Sequence, residues 1–210
     1  MAALMFVVPD ETARILRELK VPKGTPEQNS HITVVHLGDD VSIDRIAEVV
    51  PILYDVTFQT LPFSVSTNRI TTFSAGKDGV PVIAAIESQE LHDFRGELCR
   101  ALDEAGQEYS KKFPIYKPHV TLTYAQDPAT RLDLSIPKIS WACHELLLWG
   151  SNRGDGRLVV KFPLSLPIGR VATGLHAPEQ AEIRRLSIAS ASHKALVKLA
   201  LWRSLGHKTV

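Results

Sequence analysis

The chain has 210 residues, 44% of them hydrophobic, and its 24 basic residues nearly balance its 23 acidic residues. That length supports one substantial domain with a sizeable core. The net charge of +1 argues against a protein that coats nucleic acid without specificity, although a locally bound nucleic-acid substrate is compatible with it. No apolar run reaches membrane-spanning length, and the first run is too short and lacks the basic start of a signal peptide. We therefore expect a soluble, cytoplasmic protein.

In chain order, the hydrophobic periodicity predicts strands and helices that alternate along the chain. The first part comprises a strand at 2–8, a helix at 10–20, a loop at 21–30, a strand at 31–37 and a helix from Ser42 to near Pro51. The middle comprises strands at 56–66, 69–74 and 80–87, the last two joined by a hairpin turn at 76–79. The last part comprises a helix from Ser88 closed by Gly106, a strand at 119–125, and strands at 139–149 and 157–164 joined by a turn at 152–156.

Because several neighbouring strands are joined by hairpins, this pattern favours an α+β fold with antiparallel sheets over a doubly wound parallel sheet. The chain from residue 168 onward differs in composition, with seven basic residues against two glutamates. We therefore divide the chain into a domain at 1–167 and a basic helical C-terminal extension at 168–210. A basic amphipathic helix binds a protein, a nucleic acid or a membrane surface. The alternative is that it packs back on the domain.

Two tetrapeptides share one pattern: residues 31–34 read His-Ile-Thr-Val and residues 119–122 read His-Val-Thr-Leu. Each opens an apolar run after a loop-like stretch, so each is predicted to begin a strand. Because side chains alternate along a strand, the histidine and threonine of each copy share one face. The two copies together offer two imidazoles and two hydroxyls, which suit proton transfer at a bound phosphate. The alternative is that two strands begin with a histidine by coincidence.

These motifs resemble the paired H-x-T signature of the 2H phosphoesterase superfamily, which includes the 2′-5′ RNA ligase-like proteins and the cyclic phosphodiesterases. The flanking residues also match, as His-Ile-Thr-Val-Val-His-Leu-Gly at 31–38 and Lys-Pro-His-Val-Thr-Leu-Thr at 117–123. The resemblance extends over residues 1–165 and is closest to phage and bacterial versions. It implies a two-lobed, pseudo-symmetric fold with a central cleft. Each lobe has an antiparallel sheet backed by helices and presents one motif strand to the cleft.

The residue types support the same chemistry. Histidine titrates near neutral pH, so a neutral imidazole takes a proton from the nucleophile while an imidazolium gives one to the leaving oxygen. We predict that His31 and His119 form this acid–base pair, and the sequence does not decide which of them is the base. The hydroxyls of Thr33 and Thr121 are predicted to donate to the non-bridging phosphate oxygens. No metal or other cofactor is predicted.

Four further residues are predicted to bind the substrate. By strand alternation Thr123 falls on the face of the second motif histidine, whereas Tyr124 and His36 fall on the opposite, apolar face. Tyr124 lies near the strand end, where it is predicted to contact the substrate, with packing as the alternative. Tyr116 and Lys117 precede the second motif on a predicted cleft-side loop, where they suit base stacking or phosphate contact, with a solvated loop as the alternative. His36 stands where the family commonly has an aromatic residue, and Tyr124 where several branches have a basic one.

The remaining histidines and the two cysteines do not show the spacing of metal ligands. Cys99 falls in a predicted helix and Cys143 in a predicted strand, and both are expected to be buried, reduced thiols.

The motifs and the resemblance predict a metal-independent phosphodiesterase that acts as a monomer on a nucleotide or oligonucleotide with a cyclic or 2′-linked phosphodiester. Candidate substrates are RNA 2′,3′-cyclic ends, 2′-5′ oligoadenylates and cyclic oligonucleotide messengers. A phage-like protein that degrades a host immune messenger is one hypothesis from the resemblance. The alternatives are 2′-5′ RNA ligation on the same residues, and a non-catalytic binding module that docks a partner through its basic tail. The intact histidines and threonines of both motifs argue against the module.

Overall fold

The computed structural model describes residues 1–22, 24–26, 29–151 and 157–165. Within these ranges the chain forms three helices and nine strands. The helices are α1 (Asp10–Glu18), α2 (Ile43–Phe58) and α3 (Gln89–Glu104). The strands are β1 (Ala2–Val7), β2 (Gly24–Pro26), β3 (His31–Gly38), β4 (Phe63–Thr72), β5 (Val80–Glu87), β6 (His119–Ala125), β7 (Asp133–Cys143), β8 (Glu145–Ser151) and β9 (Arg157–Pro163).

All nine described strands belong to one antiparallel sheet with the order β7-β4-β5-β6-β3-β1-β8-β9, and β2 pairs with β6. The motif strands β3 and β6 lie at its centre and pair with each other at Ile32 and Val120. This seam separates two halves, β6-β5-β4-β7 and β3-β1-β8-β9, each with a motif strand innermost. The α+β, pseudo-symmetric fold is thus confirmed, as two halves of one continuous sheet.

The two halves share a hydrophobic core. Phe6 of β1 and Phe63 of β4 come from different halves, yet their ring centroids are 5.5 Å apart. Phe94 of α3 contacts both rings, at 5.5 Å and 6.0 Å. The chain also passes from β7, at one edge of the sheet, to β8 in the other half through His144 alone. The sheet therefore curves around its core, and α3 ties the two halves together.

Helix α2 continues through Pro51 to Phe58, so the predicted helix end near Pro51 is wrong, and so is the start of the predicted strand at 56–66. A proline inside a helix removes one backbone hydrogen bond. Burial of the apolar face on both sides of the proline offsets that loss. This face contains Val49, Val50 and Leu53, each at most 1% exposed. Strand β4 begins only at Phe63.

The predicted strand at 139–149 is two strands, because β7 pairs with β4 and β8 pairs with β1. Apolar residues continue across the junction at His144, so hydrophobicity does not separate them. The predicted loop at 21–30 contains the short strand β2. The predicted end of α3 is confirmed: Gly106 has φ +66°, a left-handed conformation that favours glycine after a helix.

Two predicted features lie outside the described residues: the turn at 152–156 and the basic extension at 168–210 with its helix. The division into two domains therefore stays a prediction. Among the described helices, none is long and apolar enough to cross a membrane.

Candidate active site

The four motif residues lie on one face of the central seam. Ile32 and Val120 pair across it, and both are fully buried in the hydrophobic core. Since neighbours along a strand point to opposite faces, the residues on either side of these two point away from the core, to the face of the sheet where the resemblance predicts the cleft. They are the half-buried His31 and Thr33 on β3 and His119 and Thr121 on β6. Because β3 and β6 are antiparallel, the histidine of each motif lies across from the threonine of the other.

Both motif imidazoles make the same hydrogen bond. His31 Nδ1 lies 2.6 Å from the carbonyl oxygen of Asn29, and His119 Nδ1 lies 2.8 Å from that of Lys117. A carbonyl oxygen only accepts, so each Nδ1 carries the hydrogen and donates it. In a neutral ring, Nε2 is then the nitrogen that accepts a proton. The two halves therefore fix their imidazoles in the same tautomer, each through the carbonyl two residues earlier in the chain.

The backbone just before each histidine is also held in the same way. The carbonyl of Ser30 accepts from the amide of Val8 at 3.0 Å, and the carbonyl of Pro118 accepts from the amide of Ile86 at 3.0 Å. Val8 directly follows β1, and Ile86 lies near the end of β5, and these strands flank β3 and β6 in their respective halves. In each half, the outer neighbour of the motif strand thus holds the backbone that leads into the motif.

Burial lowers the pKa of His119 from its ordinary 6.5, and the charge of His31 lowers that pKa further, against the opposing effect of the Lys117 carbonyl. Proton binding at His31 therefore favours the neutral form of His119. Phe73, from the connection between β4 and β5, packs on the His119 ring with centroids 4.8 Å apart and planes at 84°. The sequence does not indicate this contact, because the neighbours of Phe73 along the chain carry no signal for packing on β6.

Strand β3 contains an extra residue directly after its motif threonine. Thr33 pairs with Met5 of β1, but Val35 pairs with Leu4, so Val34 has no place in the regular register. Such a β-bulge shifts the alternation of side chains by one residue. From Val35 to a second register shift at Leu37, the faces of β3 are therefore the reverse of those that strict alternation predicts.

Strand β6 has the same irregularity at the corresponding position. Thr121 pairs with Ile83 of β5 and Thr123 pairs with Val82, which leaves Leu122 as the extra residue. The pattern of buried and half-buried residues is identical along the first seven positions of β3 and β6. The pseudo-symmetry therefore includes the bulge as well as the motif.

The bulges reverse the predicted orientation of three residues. Thr123 is only 4% exposed and lies on the core side of β6, so the prediction that it lines the cleft is wrong. His36 and Tyr124 lie half-buried on the cleft side, so the prediction that they fall on the apolar face is also wrong. His36 pairs with Ala3 of β1. Ala3 is buried but does not belong to the hydrophobic core, which agrees with a position of this pair on the cleft side.

The electrostatics of His36 agree with this placement. Burial lowers the pKa of His36, and the nearby charge of His31 lowers it as well. Asp39 raises the pKa of His36, and the N-terminal amine lowers it. His36 therefore adds a third imidazole, with the neutral form favoured, beside His31.

Tyr116 packs against α3. Arg95 lies over its ring at 4.6 Å from the centroid, and the ring of His92 lies 5.3 Å away. Its hydroxyl donates to the backbone carbonyl of Thr33 at 3.0 Å. Tyr116 is therefore packed against the core and not on a solvated loop, and its contact with the substrate stays a prediction. Lys117 is exposed beside the second motif, where its backbone carbonyl holds the imidazole of His119.

Across the described ranges, no group of three or more His, Cys, Asp or Glu side chains is arranged to hold a metal ion. Both cysteines are free thiols, with Cys143 buried as predicted and Cys99 half-buried. The groups that the site offers are two imidazoles in one tautomer, two hydroxyls opposite them, and a third imidazole and a phenol beyond the bulges.

Comparison with known proteins identifies the family and the fold of the chain. The family model for the 2′-5′ RNA ligase superfamily matches residues 8–155. The chain is also 28% identical over 127 residues to the anti-CBASS protein Acb1 of Salmonella phage S16. That alignment spans 57% of this chain and 66% of the phage protein, just under two thirds of its length.

Solved structures share the fold at low sequence identity. The protein TT0787 of Thermus thermophilus aligns with a TM-score of 0.62 and 17% identity, over 79% of this chain and 98% of that one. LigT of E. coli in complex with 3′-AMP aligns with a TM-score of 0.55 and 16% identity, over 78% of this chain and 97% of that one.

Proposed function

The chain belongs to the 2′-5′ RNA ligase superfamily, and we propose that it is a phosphodiesterase of the 2H type that hydrolyses a cyclic or 2′-linked nucleotide phosphodiester without a metal ion. The observation that carries the proposal is the matched pair of Nδ1 hydrogen bonds, to Asn29 and Lys117. These bonds leave Nε2 of His31 and of His119 as the nitrogens that exchange protons. One reaction needs both a proton acceptor and a proton donor, and two such rings supply them.

In the proposed reaction, water attacks the phosphorus of the diester. One neutral imidazole accepts a proton from that water through Nε2 as the new P–O bond forms. The bond from phosphorus to the ribose oxygen breaks, and the other ring, as imidazolium, gives its Nε2 proton to the leaving oxygen. The product is a phosphomonoester, and the proton taken from water balances the proton given to the leaving group.

We assign the base to His119 and the acid to His31. Burial and the charge of His31 both favour the neutral form of His119. The neutral ring is the one that accepts the proton from water, which leaves the role of acid to the other motif histidine, His31. The reverse reaction, ligation, would use the same groups with exchanged roles.

Thr33 and Thr121 are proposed to donate their hydroxyls to the non-bridging oxygens, where negative charge increases in the transition state. Each threonine lies across from the histidine of the other motif. A phosphate between the strands would thus have one imidazole and one hydroxyl on either side. This arrangement suits a displacement in which the nucleophile enters opposite the leaving oxygen.

The substrate is proposed to extend past the bulges toward Tyr124 and His36, with the exposed Lys117 near its phosphates. Tyr124 offers a face for a nucleobase, and His36 offers hydrogen bonds from a largely neutral ring. Similarity to the phage anti-CBASS protein favours a cyclic nucleotide among the candidate substrates.

A substrate panel tests the proposal. The full chain is assayed on nucleoside 2′,3′-cyclic phosphates, 2′-5′ oligoadenylate and cyclic dinucleotides, with and without EDTA. We expect hydrolysis that persists in EDTA. His31→Ala and His119→Ala should each reduce kcat by about 10²–10⁴-fold, the usual contribution of a general acid or base.

The matched control is His144→Ala, which removes an exposed imidazole from the junction between β7 and β8. This variant should keep full activity. Loss of hydrolysis in EDTA, or normal turnover in either motif variant, would contradict the mechanism. Hydrolysis of none of these substrates would contradict the proposed substrate class.

A further inference from the structure

The motif strands separate directly beyond their pairing at Ile32 and Val120, which within the described residues is where β3 meets β6. Past this point, backbone carbonyls of β3 bond to groups outside the sheet. The carbonyl of Thr33 accepts from Tyr116, that of Val34 accepts from Arg95, and that of His36 accepts from the amide of Ser110. Strand β3 is therefore held on this side by α3 and by the segment that leads into β6.

Tyr116 and Arg95 act together at the bulge of β3. The Tyr116 hydroxyl lies 3.0 Å from the Thr33 carbonyl, and the Arg95 Nε lies 3.2 Å from the Val34 carbonyl. The Arg95 guanidinium also lies over the Tyr116 ring at 4.6 Å, a favourable cation–π contact. Burial raises the pKa of Tyr116, so its hydroxyl keeps the hydrogen that it donates.

We propose that Tyr116 and Arg95 are positioning residues for the reaction, and that they set the place of His31 and Thr33 relative to the second motif. A bulge interrupts the regular hydrogen bonds of a strand, so the backbone there depends on other partners. These two side chains are such partners, and they bond to the motif threonine and to the extra residue after it. Since a displacement of about 1 Å costs about 100-fold in rate, loosening β3 here reduces turnover more than binding.

The test is Tyr116→Phe, which removes the donated hydrogen and keeps the ring under Arg95. The matched control is Tyr109→Phe, on the same segment, whose hydroxyl donates to Asp103 at 2.9 Å instead of to a motif strand. We expect Tyr116→Phe to lower kcat about tenfold with KM within about twofold, and Tyr109→Phe to leave both unchanged. A wild-type kcat in Tyr116→Phe, or an equal loss in Tyr109→Phe, overturns the inference.

A double-mutant cycle tests whether Tyr116 acts through Thr33. If it does, Tyr116→Phe costs little once Thr33→Val has removed the hydroxyl that it positions. An undiminished tenfold loss in the Thr33→Val background overturns the assignment for Thr33 and leaves His31 as the residue that Tyr116 positions. Arg95→Lys keeps a cationic donor and should retain more activity than Arg95→Met.

These kinetic tests rest on the proposed function. NMR of the full chain therefore provides a second measurement that does not depend on turnover. Tyr116→Phe should shift the backbone amide signals of residues 32–34 and the imidazole signals of His31, whereas Tyr109→Phe should not. Unchanged His31 signals in Tyr116→Phe overturn the inference even if the enzyme is active. If the wild type hydrolyses no phosphodiester, the proposed function fails while this structural coupling is still decided by NMR.

Discussion

His31 and His36 lie five positions apart on β3. They face the same side of the sheet because a β-bulge at Val34 lies between them. Tyr124 stands in the same relation to His119 across the bulge at Leu122. The cleft is therefore lined at two levels. The first level, the motif residues, is the same in both halves. The second level differs, with an imidazole in one half and a phenol in the other, and we propose that the substrate is distinguished at this difference.

Tyr124→Ala should raise KM for the nucleotide substrate by about 5- to 100-fold, because stacking of a base on an aromatic ring contributes about 1–3 kcal/mol. Steady-state kinetics on the best substrate of the panel measure this change. Tyr124→Phe keeps the ring and should keep KM near the wild-type value. An unaltered KM in Tyr124→Ala would show that the ring does not contact the base.

The acid limb of kcat/KM against pH should have an apparent pKa below 6.5. Burial and the charge of His31 lower the pKa of His119, so the proposed base remains neutral at pH values where a free imidazole is protonated. His31→Gln removes one of these causes and should raise the pKa of His119, which NMR titration of the imidazole signals measures. A pKa of His119 that stays constant or falls in His31→Gln would refute the coupling.

Stability should decrease as the pH falls below neutrality. The folded-state pKa values of His36 and His119 are both depressed, so the unfolded chain binds more protons below its own histidine pKa of about 6.5. The loss therefore begins as the pH falls through that value and is complete below the folded-state values. Urea denaturation at several pH values measures it. The double variant His36→Gln/His119→Gln should have a flatter profile, and an equally steep one would contradict this assignment.

Thr33→Val and Thr121→Val should each lower kcat by about 10²–10³-fold with little change in KM, as expected when a donor to a developing oxyanion is removed. Single-turnover rates on the same substrate separate this effect from product release. Thr123→Val makes the same chemical change on the core side of β6, two residues from Thr121, and should leave kcat within about twofold. A comparable loss in Thr123→Val would contradict the orientation that the bulge produces.

Phe94→Ala should lower the free energy of unfolding by about 3–5 kcal/mol, the usual cost of removing a large buried aromatic side chain. Phe94 is 4% exposed and contacts an aromatic ring from each half of the sheet. Urea denaturation followed by tryptophan fluorescence measures the loss. Tyr54→Ala is a milder comparison, because Tyr54 is 41% exposed and contacts Phe162 at one side of the core. An equal cost in the two variants would argue against a special role for the contact between the halves.

Much of this protein is readable from local sequence. Strand periodicity correctly placed both motif strands, and Gly106 marked the end of α3, because these features depend on neighbouring residues alone. The helix end predicted at Pro51 is wrong, because the burial that outweighs the missing hydrogen bond comes from distant parts of the chain. The sequence does not indicate the junction at His144 for the same reason, because the pairing partners of β7 and β8 are not a local property.

The proposed reacting groups follow from the amino-acid sequence alone, because alternation over three residues is enough to put a histidine and a threonine on one face. What lies beyond them depends on how the strands pair in three dimensions. The bulges at Val34 and Leu122 exist in relation to β1 and β5, and a register is a property of two strands together. The bulges place Thr123 on the core side and His36 and Tyr124 on the opposite side. Contacts with α3 hold Tyr116 where its hydroxyl supports β3, and these contacts too join residues that are distant in the sequence.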